Sequence, residues 1–382
     1  IETELVRRVR RIFARLGRRR RGEHQVGRKA LGQPVGGTRR GAETGADRRD
    51  RLRGEGPAGR IGDQGGDMHG KTADEEEAMT GKIEAILIAG PTASGKSRLA
   101  VELAERHGGV VVNADSLQVY DGLEILTARP SEADLGRVPH RLYGHVDPRT
   151  DYSAGAFLRD AEKVLEDLRR QGRLPIFCGG TGLYFKALLG LLDRMPEVPS
   201  EIREKWRARL AEEGPEPLHG ELAAIDPETA ARLSPRDGQR IVRALEVSEA
   251  GGASLSRLQG GGGEALIDPE QARMIVLTPD RAELRQRIAE RFDVMLEAGA
   301  LDEVRAFETA YRGAVATAGK AIGLAELSSY LKGNMGYEEA CERAVTRTRQ
   351  YAKRQETWFR HQFDRRWLRL SPEAAISKVA EL

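Results

Sequence analysis

Gly90-Pro91-Thr92-Ala93-Ser94-Gly95-Lys96-Ser97 stands directly after the apolar run Ile86-Leu87-Ile88-Ala89. Its spacing, G-x-x-x-x-G-K-S, is that of a phosphate-cradling loop, and the flanking sequence suits that reading. The β-branched and leucine run predicts a buried strand. Gly90 permits a sharp exit, and Gly95 lets the backbone approach an anion. Residues 97–105 then open a helix with apolar positions at Leu99, Ala100, Leu103 and Ala104. In such a unit the backbone N–H groups and the helix N-terminus point at a phosphate. Lys96 adds a point charge, and Ser97 offers a hydroxyl to Mg²⁺. All eight residues are therefore candidate diphosphate-binding positions, with Ser97 the candidate metal ligand. The loop alone leaves the chemistry open, because many reactions clamp a diphosphate.

Two further strands end in residues suited to the same crevice. Residues 109–116 read as a buried strand, Val110-Val111-Val112, running out into Asn113, Asp115 and Ser116. Residues 174–178 read as another, followed by Gly179-Gly180-Thr181-Gly182. In an open α/β sheet, groups at the carboxyl ends of strands line the ligand crevice. The pattern thus brings a phosphate loop, the Asp115 carboxylate and the Thr181 hydroxyl to one edge. A turn-forming or capping role for Asp115 is the competing reading. Between these strands, Ser153 is a plausible N-cap for a helix reaching about residue 171. His140 and His145 lack a metal-ligand constellation and read as structural hydrogen-bonders.

The 382 residues are 32% charged and their mean hydropathy is −0.52, with no apolar run approaching a membrane span. Only two cysteines occur, Cys178 and Cys341, which excludes a disulfide framework and suits a cytoplasmic protein. The net charge of +3 is unevenly spread. Residues 1–79 hold 19 Lys and Arg against 13 Asp and Glu, whereas the remainder hold 43 against 46. That leader contains Arg18-Arg19-Arg20-Arg21 and little apolar periodicity after Leu16, so it is expected to be disordered. It reads either as a basic arm or as a non-native extension upstream of a start at Met79.

Residues 80–196 form the first part of the core on this reading, and residues 197–265 a charged helical insertion punctuated by prolines. Within the insertion, residues 237–247 form an amphipathic helix, and Gly260-Gly261-Gly262-Gly263 reads as a flexible connection. The core resumes at Met274-Ile275-Val276-Leu277. A helix over about residues 281–297 carries Arg287 and Arg291 on one face. A last long helix, about residues 337–362, interleaves Arg343, Arg347, Arg349, Lys353, Arg354 and Arg360 with Tyr351, Trp358 and Phe359. Basic residues among aromatics suit a phosphate backbone and stacked bases. The expected fold is α/β: a P-loop-type, open, mostly parallel sheet flanked by helices, with a helical insertion and a long C-terminal helix.

In order along the chain, these segments resemble the bacterial tRNA dimethylallyltransferases, also called tRNA isopentenyltransferases. The matching stretches are the phosphate loop, Ala114-Asp115-Ser116-Leu117-Gln118-Val119-Tyr120, Thr127-Ala128-Arg129-Pro130, Pro139-His140-Arg141-Leu142 and Tyr152-Ser153-Ala154. Further on come Gly179-Gly180-Thr181-Gly182-Leu183-Tyr184-Phe185-Lys186-Ala187, the Gln239–Val247 segment and Ala352-Lys353-Arg354-Gln355-Glu356-Thr357-Trp358. The phosphate loop is shared with many enzymes, whereas the Asp115 and Thr181 elements are specific. The sequence departs from the family at Leu126, where glycine is usual, and at Leu324-Ala325, where an aromatic and a basic residue are usual.

The resemblance implies Mg²⁺-dependent transfer from dimethylallyl diphosphate to N6 of adenine 37 in the anticodon stem-loop of tRNAs reading U-initial codons. It makes Asp115 the base, Thr181 a hydrogen-bonder near the bridging oxygen and Arg291 the diphosphate arginine. It places tRNA contacts at Asp115, Ser116, Leu117, Gln118, Thr181, Arg203, Gln239, Arg240, Ile241, Val242 and Arg243. A cytoplasmic monomer without membrane contact is expected. A small-molecule kinase using the same loop for ATP, and a non-catalytic RNA-binding protein with a relict loop, are the alternatives.

Overall fold

The computed structural model describes residues 83–193, 195–313 and 317–378; the basic leader and Met79 lie outside them. The central strands are β1 (Ala85–Ala89), β2 (Val110–Asn113), β4 (Pro175–Gly179) and β5 (Ala272–Leu277), with β3 (His140–Arg141) and β6 (Leu368–Leu370) at the edges. Their order is β3-β2-β4-β1-β5-β6 and every pairing is parallel. Each sheet face is apolar because side chains alternate along a strand and both faces are covered. Ile86, Ile88, Val111, Ile176 and Ile275 pack beneath α1 (Lys96–His107). On the other face Leu87, Val112, Phe177 and Met274 pack against α3 (Ala154–Gln171), which follows α2 (Glu132–Arg137), and α4 (Gly182–Leu188). Ser153 caps α3 as expected, accepting a hydrogen bond from the Ala156 amide.

Chain order and spatial order diverge at β1. The chain passes over α1 to β2, then returns through α3 to place β4 between them. This puts the crevice of an open sheet at the ends of β1, β4 and β2. Ala89 is in register with Gly179, and Asn113 with Cys178, so the residues following all three strands emerge together.

Helices α5 (Ser200–Glu213), α6 (Pro215–Ile225), α7 (Pro227–Arg232), α8 (Gly238–Gly251) and α9 (Leu255–Leu258) follow. They share a core of Trp206, Leu218, Leu222, Ile241 and Leu245. The backbone of residues 260–263 makes hydrogen bonds to the segment before α5. The Gly260 and Gly262 amides both donate to Asp193 Oδ1 at 2.9 Å, and the Gly263 amide donates to the Gly190 carbonyl at 3.0 Å.

Asp226 secures this bundle. It accepts from the Thr229 amide at 3.1 Å, the Thr229 hydroxyl at 2.7 Å and the Ser256 amide at 2.9 Å. Burial alone would push its carboxyl up, but the bonds from Ser256 and Thr229 outweigh burial and hold it at about 2. The depressed value means a stabilisation present above the ordinary carboxylate range and lost as pH falls towards 2. Asp226→Ala is expected to cost about 1–3 kcal/mol at neutral pH, measured by denaturant unfolding. The deficit should shrink in acid; a deficit independent of pH would refute the charge-based account.

The C-terminal elements are α10 (Arg281–Glu297), α11 (Ala300–Ala310), α12 (Leu324–Leu331), α13 (Tyr337–Gln362) and the short α14 (Pro372–Ser377). Helices α10 to α13 enclose a further core that takes in Val119, Tyr120, Leu123 and Leu126 from the segment after β2. Among the described residues, no helix is long and apolar enough to cross a membrane.

Candidate active site

The loop of residues 90–97 turns at Gly95, whose φ of +88° belongs to the left-handed region where a side chain is strained. Its internal bonds are short-range: the Ser94 amide donates to the Pro91 carbonyl at 3.2 Å, and Lys96 Nζ donates to the same oxygen at 3.4 Å. The Ser94 hydroxyl is buried and has no hydrogen-bond partner within the protein. Ser94, Gly95, Lys96 and Ser97 border an open cavity of about 450 Å³, together with Gln118, Arg129, Asp134, Arg287 and Arg291. The first-turn amides of α1 open here without intrahelical acceptors, which suits an anion. Burial pushes the Lys96 ammonium below its ordinary value, against the pull of Cys178 and Asp115.

Two distant residues finish the loop. Arg291 Nη2 on α10 donates to Thr92 Oγ1 at 2.5 Å. Burial lowers the Arg291 guanidinium from its usual range, with the nearby Asp115 carboxylate opposing the shift. Gln355 on α13 accepts from the Thr92 amide at 2.9 Å through Oε1, while its Nε2 donates to the Gly180 carbonyl at 3.0 Å. A Cβ on Gly180 would stand 2.2 Å from Gln355 Nε2, so a side chain there would displace the bridge. Sequence reasoning missed this bridge, reading the surrounding stretch only as a basic, aromatic surface. The signal available was an uncharged Gln among basic residues, a helical turn from the apolar Ala352 and Phe359.

Asn113, Asp115 and Thr181 form a second set. Buried Asn113 donates to the carbonyls of Asp115 and Leu142, both at 3.0 Å, and accepts the Asp115 amide at 2.8 Å. Asp115 Oδ1 accepts the Leu117 amide at 3.0 Å. The capping role and the crevice position therefore coexist in one carboxylate. Thr181 Oγ1 accepts the Ser116 amide at 2.9 Å and donates to the Ser116 hydroxyl at 3.2 Å, tying β4's turn to β2's. Cys178, directly beneath, is an inert thiol pushed up to about 11 by burial.

A second, smaller pocket of about 60 Å³ joins these sets. Thr92, Asp115, Thr127, Arg291, Thr348 and Tyr351 supply its polar side chains, with Leu117, Leu126, Ile288, Phe292, Met295 and Ile322 among its apolar lining. The arrangement can hold an anion, an apolar group and a proton acceptor side by side.

The remaining candidates are dispersed. Gln118 commits Nε2 to the carbonyls of Thr127 and Ala128, at 2.8 and 2.7 Å. Arg203 and Arg207 approach Asp151 at 4.0 and 3.1 Å. Gln239, Arg240 and Arg243 are exposed on α8, whereas the side chains of Ile241 and Val242 belong to the bundle core. Their placement follows from the helical period, since they continue the apolar stripe with Ala244 and Leu245. On α13, Lys353, Arg354 and Arg360 are exposed, whereas Arg347 pairs with the buried Glu326 and Arg343 with Glu339. His140 and His145 have the structural roles expected, bonding the Val138 carbonyl and the Asp160 carboxylate.

The sequence model of the IPP transferase family matches residues 118–362. A tRNA dimethylallyltransferase from Rhizobium johnstonii is 57% identical over 295 residues, covering 77% of this chain and 99% of the relative. One from Agrobacterium fabrum is 53% identical over 290 residues, covering 76% and 97%. A solved tRNA isopentenylpyrophosphate transferase from Bacillus halodurans superposes with a TM-score of 0.56 at 32% identity, covering 78% of this chain and 95% of that one. A eukaryotic dimethylallyltransferase acting on tRNA superposes with a TM-score of 0.63 at 31% identity, covering 72% and 69%. A parallel sheet with this loop at its switch point, and this breadth of similarity, lead to one conclusion: the chain belongs to the IPP transferase family.

Proposed function

We propose that this protein transfers the dimethylallyl group of dimethylallyl diphosphate to N6 of adenine 37 in tRNAs reading U-initial codons. The observation that carries the reading is the small pocket, where the Arg291–Thr92 pair, the Asp115 carboxylate and an apolar wall meet. An allylic diphosphate has charge at one end and five carbons at the other, and an attacking amine needs a proton acceptor.

The adenine leaves the anticodon-loop stack to enter the crevice. Its N6 lone pair is delocalised into the ring, so N6 attacks poorly without help. Asp115 orients the amine and takes one proton as the N6–C bond forms and the allylic C–O bond breaks. The electron pair of that bond departs with diphosphate, whose charge is stabilised by Lys96, Arg291 and the loop amides. Thr181 supports the bridging oxygen. Half-buried Arg203 and exposed Gln239, Arg240 and Arg243, with the basic face of α13, attract the anticodon stem.

Mg²⁺ suits the donor set. Among the described residues no cluster of three His, Cys, Asp or Glu side chains is arranged to hold a metal. The exposed Ser97 hydroxyl borders the large cavity with Asp134 and Glu290, offering a few oxygen ligands to a hard cation that keeps waters and phosphate oxygens. Ser97 would hold the ion, which when bound supplies positive charge to the leaving diphosphate.

Labelled dimethylallyl diphosphate, unmodified tRNA and Mg²⁺ should give labelled tRNA without ATP; no label in tRNA would sink the proposal. Chelation with EDTA should lower transfer by about 10²-fold or more, with recovery on adding Mg²⁺ back. Undiminished transfer after exhaustive chelation would remove the metal from the scheme.

A further inference from the structure

Gln355 is uncharged and only 6% exposed, and both of its polar atoms are committed to backbone partners. One partner, the Thr92 amide, belongs to the phosphate loop. Thr92 also lines the small pocket, and its hydroxyl accepts a bond from Arg291. The other partner, the Gly180 carbonyl, immediately precedes Thr181. The Thr181 amide donates to the Ala114 carbonyl at 3.2 Å, and its hydroxyl is tied to Ser116. One side chain on α13 therefore joins the donor side of the site to the acceptor side. Asp115 converges on the same place. The point where a Cβ on Gly180 would lie is 2.2 Å from Gln355 Nε2 and 3.2 Å from Asp115 Oδ2. Oδ2 is the carboxylate oxygen that the Leu117 amide does not take.

The ladder between β1 and β4 ends at Ala89 and Gly179. Beyond it, Gln355 spans the two strand exits. Both partners are backbone atoms, so the bridge sets main-chain positions rather than the rotamer of one neighbour. A glutamine suits the task because one planar amide offers an acceptor and a donor at fixed separation, whereas a carboxylate offers acceptors alone. We propose that Gln355 is a positioning residue for the transfer, fixing the gap between the bound diphosphate and the amine held by Asp115. The inference rests on the prenyl-transfer reading above. In a displacement the attacking nitrogen and the leaving oxygen must meet one carbon in a set geometry, and misplacement by about 1 Å costs up to roughly 10²-fold in rate.

The test measures single-turnover transfer from saturating dimethylallyl diphosphate in a preformed enzyme–tRNA complex, beside the affinities for tRNA and for inorganic diphosphate. Gln355→Met is similar in length and removes both bonds without adding charge. Gln355→Asn keeps the amide but is one methylene short of reaching both partners, and it keeps the proposal falsifiable should the Met variant fail to fold. Each should slow transfer by about tenfold or more, with both affinities held within about threefold. A folded variant with an unchanged rate overturns the assignment. So does a diphosphate affinity that falls as far as the rate, the mark of a bridge that merely shapes the loop. Failure of the unsubstituted protein to transfer the five-carbon group would overturn the prenyl-transfer reading instead.

Discussion

Asp115→Asn is expected to lower the rate of transfer by about 10²–10⁴-fold while leaving tRNA and donor affinity nearly unchanged. The substitution is conservative in shape. Asparagine keeps an Oδ1 that can accept the Leu117 amide, so the turn after β2 should survive. It also leaves the bonds from Asn113 and the Thr181–Ser116 tie in place. What disappears is the only function an amide cannot supply, acceptance of the N6 proton. Single-turnover transfer with preformed enzyme–tRNA complex, alongside tRNA binding at one fixed salt concentration, separates the two effects. Loss of rate smaller than threefold would show that Asp115 is a turn residue alone. Equal losses in rate and tRNA affinity would point to a structural failure.

Arg291→Ala should be nearly as severe, at about 10²–10³-fold in kcat/KM for the donor. Arg291 supplies positive charge in a buried setting and also orders the loop through Thr92 Oγ1. A lysine at this position keeps the charge but loses the planar fork that reaches both Thr92 and a phosphate. Arg291→Lys should therefore recover only part of the loss. The measurement is the donor KM and kcat at saturating tRNA, where a rise in donor KM with unchanged tRNA KM localises the effect. Full recovery by lysine would reduce the role of Arg291 to charge alone.

The strand–loop–helix unit of β1 and α1 was legible because it is local: periodicity, two glycines and a lysine lie within twenty consecutive positions of the sequence. Asp115 and Thr181 were legible by the rule that strand ends meet at a switch point, and β4 does emerge beside β1, with β2 on its other side. The α13 boundaries, at residues 337 and 362, were readable from amphipathic spacing. Edge strands β3 and β6 were not, since two and three residues carry no usable period and part of each is exposed. Asp193, the acceptor of the Gly260 and Gly262 amides, was not legible because it lies 67 and 69 residues away along the chain. Ile241 and Val242 were legible as core from their stripe, but the family motif drew attention to the segment rather than its face. Gln355 was hidden for a different reason, because its two partners are far away along the chain.

That separation has a consequence for how the protein is made. Thr92 and Gln355 are 263 residues apart, and Thr92 and Arg291 are 199 apart. The most local of motifs is therefore completed by some of the least local contacts, and closing such long loops is slow relative to forming a helix. During synthesis the cradle leaves the ribosome long before its two fasteners exist. A nascent chain halted after β4 would carry every loop residue yet hold the loop unfastened, and α13, which supplies Gln355, also carries the basic surface. Competence for the small diphosphate and for the large RNA thus matures in one late step, rather than in the order in which their residues are written.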